Sequence, residues 1–474
     1  MPAQATILKL IPQVEKVLNL SSNDADLKAI PRSALTLFVR QALEELRQGA
    51  LKGELTQIPA NSKILSRVKE IAAEANRVSL REIINATGIV LHTNLGRAPL
   101  AQTAIESMVD AAKGYCALEY DLQQASRRDR HKSVEDLLVE LTGAPAATIV
   151  NNNAAALFLL ALVLAGGRSA VISRGELVEI GGSFRLSEII KAAGVQLKEV
   201  GSTNRTLIKD YRSAIEEDPE EIGLVLKVHC SNFRLIGYVA QTPVNELSSL
   251  AKDKGLPLAV DLGSGSLIDL SARGLEGEET VSSIVSQGAD VVCFSGDKLL
   301  GAAQGGLIVG REDIIKKIKT HPLARTMRPD KTTLAATEAT LKLYRTPKEA
   351  LKLIPILRML NLTDQELRQL ALKLKATIGR IKGLKTSIVR VNSQAGGGAA
   401  PERPLSSWAV SVESDNGVIS ALVHLLRLEP VSVVARVVSD RLLFDVRTIF
   451  PSQFKLLKLS LARAWSKLSS EIKI

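Results

Sequence analysis

The sequence predicts an open α/β sheet, preceded by a small helical domain and followed by a small α+β domain. Three observations predict it. The first 80 residues carry apolar side chains at helical spacing. From residue 81, short β-branched runs alternate with helical stretches. After residue 390, strand-like runs return together with two helical ones. The chain has 474 residues, room for about three domains at roughly 150 residues each. The expected bounds are 1–80, 81–340 and 341–474.

Within residues 1–80, Ile7, Leu10, Ile11, Val14, Val17 and Leu18 fall on one helical face. Ser33 opens a second amphipathic run through Leu35, Leu37, Phe38, Ala42, Leu43 and Leu46, ending near Gly49. A third runs from Ser62 through Leu65, Val68, Ile71 and Ala72. Pro12, Pro31 and Pro59 punctuate the connections.

Five strand-like runs follow in the middle segment: Thr148–Val150, Ala170–Ile172, Gly223–Val228, Leu258–Val260 and Ala289–Phe294. Each ends in polar sequence, as expected where an α/β sheet presents ligand-binding groups at its strand ends. Residues 341–390 read as helical and basic. Gly396-Gly397-Gly398 with Pro401 and Pro404 mark a loop. Residues 406–474 supply strands at Trp408–Val412 and Val431–Ala435, and two helices.

Composition narrows the function. Apolar residues make up 46% and charged residues 23%, a globular balance rather than a disordered one. The net charge of +11 is uneven: +3 over residues 1–80, −4 over 81–340, +9 over 341–390 and +3 over 391–474. A polyanionic partner and a solvated helical face both account for that excess. Cys116, Cys230 and Cys293 stand far apart with no CxxC, which excludes a disulfide framework and a zinc ribbon. No metal site is expected. The N-terminus lacks a signal-peptide pattern, and the longest apolar stretch, Ala154–Gly166, is too short to span a bilayer. A cytoplasmic protein is expected, with no membrane partner. An aromatic content of 3% argues against a stacking platform for single-stranded nucleic acid.

Four motifs carry chemistry. Phe294-Ser295-Gly296-Asp297-Lys298 delivers a serine and a lysine to one strand end. A buried lysine forms a Schiff base with an aldehyde cofactor, and the Ser295 hydroxyl binds phosphate. Taken alone, a surface turn explains it better. Asp261, directly after Leu258–Val260, needs a partner, and a pyridinium nitrogen is one. An Asx turn is equally good taken alone. Asn151-Asn152-Asn153-Ala154 opens a helix with small residues, so its N–H groups reach a phosphate; helix capping competes. His229 and Asn232 follow a fourth strand, where one stacks on or shuttles protons near a ring and the other donates to a phenolic oxygen. A lone histidine is more often structural. The order decides what no motif decides alone. Phosphate loop, Asn, Asp and Ser-x-x-Lys at successive strand ends are the arrangement of a pyridoxal 5'-phosphate enzyme of the aspartate-aminotransferase-like fold (fold type I).

The chain resembles the bacterial selenocysteine synthases, the L-seryl-tRNA(Sec) selenium transferases, essentially end to end. The matching stretches include Ile84–Gly88, Leu91–Leu100, Leu141–Ala144, Val150–Ala156, Ser173–Arg185, Glu199–Gly201, Thr203–Thr206, Asp261–Gly265 and Phe294–Gly301. The resemblance implies conversion of L-seryl-tRNA(Sec) to L-selenocysteinyl-tRNA(Sec) with selenophosphate, through an aminoacrylyl-tRNA held on the cofactor. It implies Lys298 as the cofactor-binding lysine and Asp297 as the candidate proton donor to the leaving hydroxyl. It implies Arg97, Arg325 and Arg328 as selenophosphate ligands, arginine forks suiting phosphate oxygens. The i, i+3 spacing puts Arg325 and Arg328 on one face if that stretch is helical. It also implies an N-terminal domain that grips tRNA, and a ring of dimers. The alternative is a lyase or aldolase of the same fold acting on a free small molecule.

Two departures from the family stand out. Glycines usual there are replaced by Ala125 and Arg128 in Ala125–Arg130, and by Ala302 in Gly301–Gly306. Lost glycines are expected to alter the local backbone.

Overall fold

Pro12 cuts the first apolar run. Its ring and missing N–H end the helical turn over residues 7–10, and the helix resumes at Val14–Ser21. The computed structural model describes residues 7–53, 55, 57–76, 79–180, 184–397, 404–415 and 417–472. Arg32–Leu51 and Asn61–Ala75 supply the other two long helices of the first unit, Met1–Glu82. They bury the apolar stripe that the spacing predicts, through Val17, Leu35, Val39, Leu43, Val68 and Ile71.

The second unit runs from Ile83 to Ile474. Its strands of three or more residues are β1 (Ile84–Ala86), β2 (Ile89–Leu91), β3 (Ala146–Val150), β4 (Ser169–Ser173), β5 (Gln196–Val200), β6 (Ile222–Val228), β7 (Leu258–Gly263), β8 (Val291–Ser295), β9 (Gly306–Gly310), β10 (Lys385–Gly396), β11 (Pro404–Glu413), β12 (Val433–Val438) and β13 (Arg441–Asp445).

Seven strands form one sheet in the order β3-β9-β8-β7-β6-β4-β5. β9 is antiparallel to β3 and β8, and every other neighbouring pair is parallel. The C-terminal ends of β3, β6, β7 and β8 therefore share one edge. Alternate residues face opposite sides. Ile149, Val171, Val225, Val260, Val292 and Phe294 enter one core, and Val150, Ile172, Leu224, Leu226, Ala259 and Ile308 enter the other. Burial on both faces explains why these strands read as continuous apolar runs.

The second sheet, β1-β12-β13-β11-β10-β2, differs from expectation in two ways. Residues 385–390, read as helical, begin β10, because Thr386, Ile388 and Arg390 alternate with Ser387, Val389 and Val391 across a ladder with β11. Residues 84–91, read with the middle segment, supply β1 and β2 to this sheet. The 81–340 and 341–474 segments accordingly lie in one unit.

Asp445 ties this sheet together. It is fully buried and accepts hydrogen bonds from Ser393 Oγ (2.8 Å), Ser407 Oγ (2.8 Å), Arg436 Nη2 (3.0 Å) and the Arg447 N–H (3.2 Å). Gly88 lies against it at φ 78°, where a Cβ would stand 2.1 Å from Asp445 Oδ2. Asp445→Ala strands these donors, and a loss of about 3–5 kcal/mol of unfolding free energy is expected. Urea unfolding checks it; a loss below 1 kcal/mol, roughly the median of an exposed pair, would refute it.

Candidate active site

The lysine turn follows β8. Ser295 ends the strand and is buried. The Gly296 N–H donates to the Gly305 carbonyl (2.9 Å), and the Ala302 N–H donates to the Gly296 carbonyl (2.8 Å). A Cβ on Gly296 would stand 2.4 Å from the Ala303 carbonyl oxygen, so this turn requires glycine. The Leu299 N–H donates to the Ser264 carbonyl (3.0 Å), which fastens the turn to the residue just past β7.

Asp261 lies on β7, buried. Its Oδ1 accepts from Asn153 Nδ2 (2.9 Å) and from the Gly263 N–H (3.1 Å). Burial pushes its carboxyl above the usual carboxylate range; the Asn153 amide, the Lys298 charge, the Gly263 N–H and the Cys293 thiol pull it back. Burial likewise pushes the Lys298 ammonium below the ordinary lysine value, against the pull of Asp261. The two groups thus favour each other's charge in a site where burial disfavours both.

Asn153 therefore reaches Asp261, while its Oδ1 stays buried without a hydrogen-bond partner. Asn152 caps the helix Asn153–Ala165 by accepting from the Ala155 N–H (2.8 Å). Ala154 is exposed in its first turn. The Asn151 N–H donates to the Met327 carbonyl (2.7 Å), so the segment carrying Arg325 and Arg328 is anchored beside this loop.

His229 follows β6, and its N–H donates to the Asp261 carbonyl (2.8 Å). Asn232 points elsewhere, its side chain donating to the Glu179 carbonyl (2.8 Å). Arg97 has φ 60° after Gly96 and donates from Nη1 to Asp297 Oδ2 (2.8 Å). The Ala98 N–H also donates to the Asp297 carbonyl (3.3 Å), so the 93–98 loop docks on the lysine turn.

The three arginines do not converge within the chain. Arg325 and Arg328 line a cavity of about 700 Å³ with Arg127, Arg128, Arg130 and Lys319, and Arg97 is not in its lining. The helix there spans Pro322–Thr326, so Arg328 lies past its end and the expected shared helical face is not formed. Glu119 offsets part of this charge: it accepts from Arg130 Nη2 (2.6 Å) and Arg127 Nη2 (3.1 Å), and Arg328 Nη1 lies 3.8 Å away. Six cations against Glu119 and Asp129 leave the cavity positive, suited to an anion.

The replaced glycines matter little to the backbone. Among the described residues, non-glycines with positive φ are Arg97, Ala125, Ser439 and Asp440. Ala125 keeps a left-handed turn at φ 49°, at a cost of about 1–2 kcal/mol; Arg128 and Ala302 need none.

Sequence reasoning missed Glu278 and Cys293. Glu278 accepts from Ser264 Oγ (2.7 Å) and lies 3.4 Å from His229 Nε2. Cys293, within the buried run of β8, stands opposite Asp261 across the β7–β8 pairing, where its thiol helps pull the carboxyl's pKa down. Cys293 lay inside the strand-like run Ala289–Phe294, whereas Glu278, in the connection between β7 and β8, carried no signal in the sequence. Among the described residues, no group of three or more His, Cys, Asp or Glu is placed to hold a metal, and no helix is long and apolar enough to cross a membrane.

Residues 83–450 match the family described as L-seryl-tRNA selenium transferase. A protein of Geobacter sulfurreducens named L-seryl-tRNA(Sec) selenium transferase is 45% identical over 450 residues, covering 94% of this chain and 96% of that protein. One of the same name from Moorella thermoacetica is 44% identical over 460 residues, covering 97% of each. Among solved structures, D-glucosaminate-6-phosphate ammonia-lyase superposes with a TM-score of 0.54 at 22% identity, over 82% of this chain and 96% of that one. That likeness concerns the fold, the aspartate-aminotransferase-like architecture that the order of motifs predicts.

Proposed function

The chain belongs to the L-seryl-tRNA selenium transferase family, and on that premise we propose that it converts L-seryl-tRNA(Sec) to L-selenocysteinyl-tRNA(Sec), with selenophosphate as donor and pyridoxal 5'-phosphate as cofactor. The observation that carries the reading is the cluster of Asn153, buried Asp261 and Lys298 at or just past three strand ends.

The residues present fit the cofactor. Lys298 offers an amine whose charge is disfavoured by burial. Asp261 is a buried carboxylate suited to a ring N–H, and Ser295 lies on the lysine turn for a phosphate oxygen. The unpartnered Asn153 Oδ1 leaves a buried acceptor facing this group. When bound, pyridoxal phosphate supplies an electron-withdrawing ring that stabilises negative charge at the substrate α-carbon.

The chain's own residues do the rest. Asp261 holds negative charge where the ring nitrogen would lie. Asp297, its carboxylate held by Arg97, stands next to Lys298 and would pass to the departing hydroxyl a proton that it first accepts from the Lys298 ammonium. Arg97, Arg325 and Arg328 bind the selenophosphate anion, and the chain assembles as a ring of dimers. His229 would stack on the cofactor ring. Asn152 and Ala154 present the helix N-terminus to the phosphate. Residues 1–80 grip the tRNA in the cytoplasm, and the basic 341–390 segment adds phosphate attraction.

The neutral amine is the form that attacks a carbonyl. Capture of pyridoxal phosphate by cofactor-free protein is therefore expected to rise with pH through a midpoint below 10.5, the ordinary lysine value. Stopped-flow absorbance across pH reads this directly, and a midpoint at or above 10.5 contradicts the buried site.

The function itself is tested by incubating the protein with seryl-tRNA(Sec) and selenophosphate, then identifying the amino acid esterified to the tRNA. Selenocysteine is expected. Turnover of free amino acids or sugar acids, with none on tRNA, would overturn the reading in favour of a small-molecule lyase.

A further inference from the structure

We propose that Glu278 is a positioning residue that fixes the His229 imidazole and braces the lysine turn; the inference rests on the cofactor reading above. Glu278 is 8% exposed and lies outside every motif that the sequence singled out. One of its oxygens, Oε2, makes both contacts: Ser264 Oγ donates to it at 2.7 Å, and His229 Nε2 stands 3.4 Å away.

Those two partners come from neighbouring strands. His229 follows β6 and Ser264 follows β7, and the two strands pair in parallel. The His229 N–H also donates to the Asp261 carbonyl, and the Ser264 carbonyl accepts the Leu299 N–H beside Lys298. Glu278 is thus joined through Ser264 to the lysine turn and directly to the histidine.

The physical consequence is orientation. A carboxylate at Nε2 favours a proton on that nitrogen, which fixes the tautomer and leaves Nδ1 as the free ring nitrogen. A ring held at one edge cannot swing about its χ2 bond. The carboxylate itself is tolerable when buried because the Ser264 hydroxyl, the imidazole and the nearby Lys298 ammonium all favour its charge. Glu278→Gln keeps the shape and removes the charge, so the contact to His229 changes from charge-assisted to neutral and its hold on the imidazole weakens while the histidine remains present.

The test uses full-length, cofactor-free protein titrated with pyridoxal 5'-phosphate. Two quantities are read: the dissociation constant, and the visible circular dichroism of the bound cofactor, which reports how its ring is held. For Glu278→Gln the expected results are an affinity loss on the order of 10- to 100-fold, as for outer partners that orient ligand-binding histidines, and a reduced visible signal. In a His229→Phe background the same change is expected to cost clearly less than it does in the wild-type background. Wild-type affinity and signal in Glu278→Gln, or losses that simply add in the double variant, overturn the proposal. Should Glu278→Gln not fold, Glu278→Asp keeps the charge but withdraws it by one methylene. It must then lower both quantities, and unchanged values overturn the proposal. Wild-type protein that takes up no cofactor refutes the cofactor reading instead, which separates the two failures.

Discussion

Lys298→Ala is expected to give a colourless protein that turns over no seryl-tRNA(Sec). The loss should reach roughly 10³-fold or more, since removing a group that forms the covalent link abolishes a whole route rather than one contact. The fold should survive. The Lys298 side chain is held in a site that disfavours its charge, so the truncation removes an unfavourable burial along with the amine. Visible absorbance after reconstitution with pyridoxal phosphate, thermal unfolding and the tRNA assay together check the result. A yellow Lys298→Ala protein with normal turnover would remove Lys298 from the chemistry.

Asp261→Asn should separate activity from stability. The neutral amide retains the size of the side chain and its place beside Asn153, but supplies no charge to a ring nitrogen. A fall in turnover on the order of 10²–10³ is expected, the usual scale for one pre-organised electrostatic interaction. Stability should move the other way or not at all. The folded carboxyl has a raised pKa, so the native state keeps its proton at pH values where the unfolded chain has released it. Wild-type protein therefore loses stability as the pH rises above the ordinary carboxylate value of 3.8 and through the folded value. The asparagine lacks that penalty. Cofactor-free Asp261→Asn should melt no lower than wild type at neutral pH. A large fall in melting temperature with unchanged turnover would make Asp261 a structural residue and nothing more.

Much of the molecule was legible in the linear sequence. Apolar runs such as Gly223–Val228 read correctly as strands because burial on both faces makes them apolar throughout. The N-terminal helices read correctly because a surface helix carries a periodic stripe. Edge strand β5 was not read: Gln196-Leu197-Lys198-Glu199-Val200 mixes charged and apolar residues, and its exposed edge needs no continuous apolar surface. Arg390 and Lys385 drew the start of β10 into a basic helical reading, although the ladder with β11 puts them on a strand.

The site divides along the same line. Chain order is what pointed to the chemistry: a helix-opening Asn run, a histidine, an aspartate and a Ser-x-x-Lys, each at or near a strand end, and a near-neutral middle flanked by basic segments. Each is a local signal, written within a few residues, although together they are spread from Asn151 to Lys298. Tertiary structure decided the partners. Asn153 meets Asp261 across 108 residues and Arg97 meets Asp297 across 200, because the sheet order brings distant strand ends to one edge. It also moved Asn232 onto Glu179, set Arg325 and Arg328 apart from Arg97, and introduced Glu278, which no motif announced. Spacing along a chain encodes the period of an element and the identity of its end groups. Which end groups touch depends on strand order and crossover connections, and no local stretch of sequence contains either.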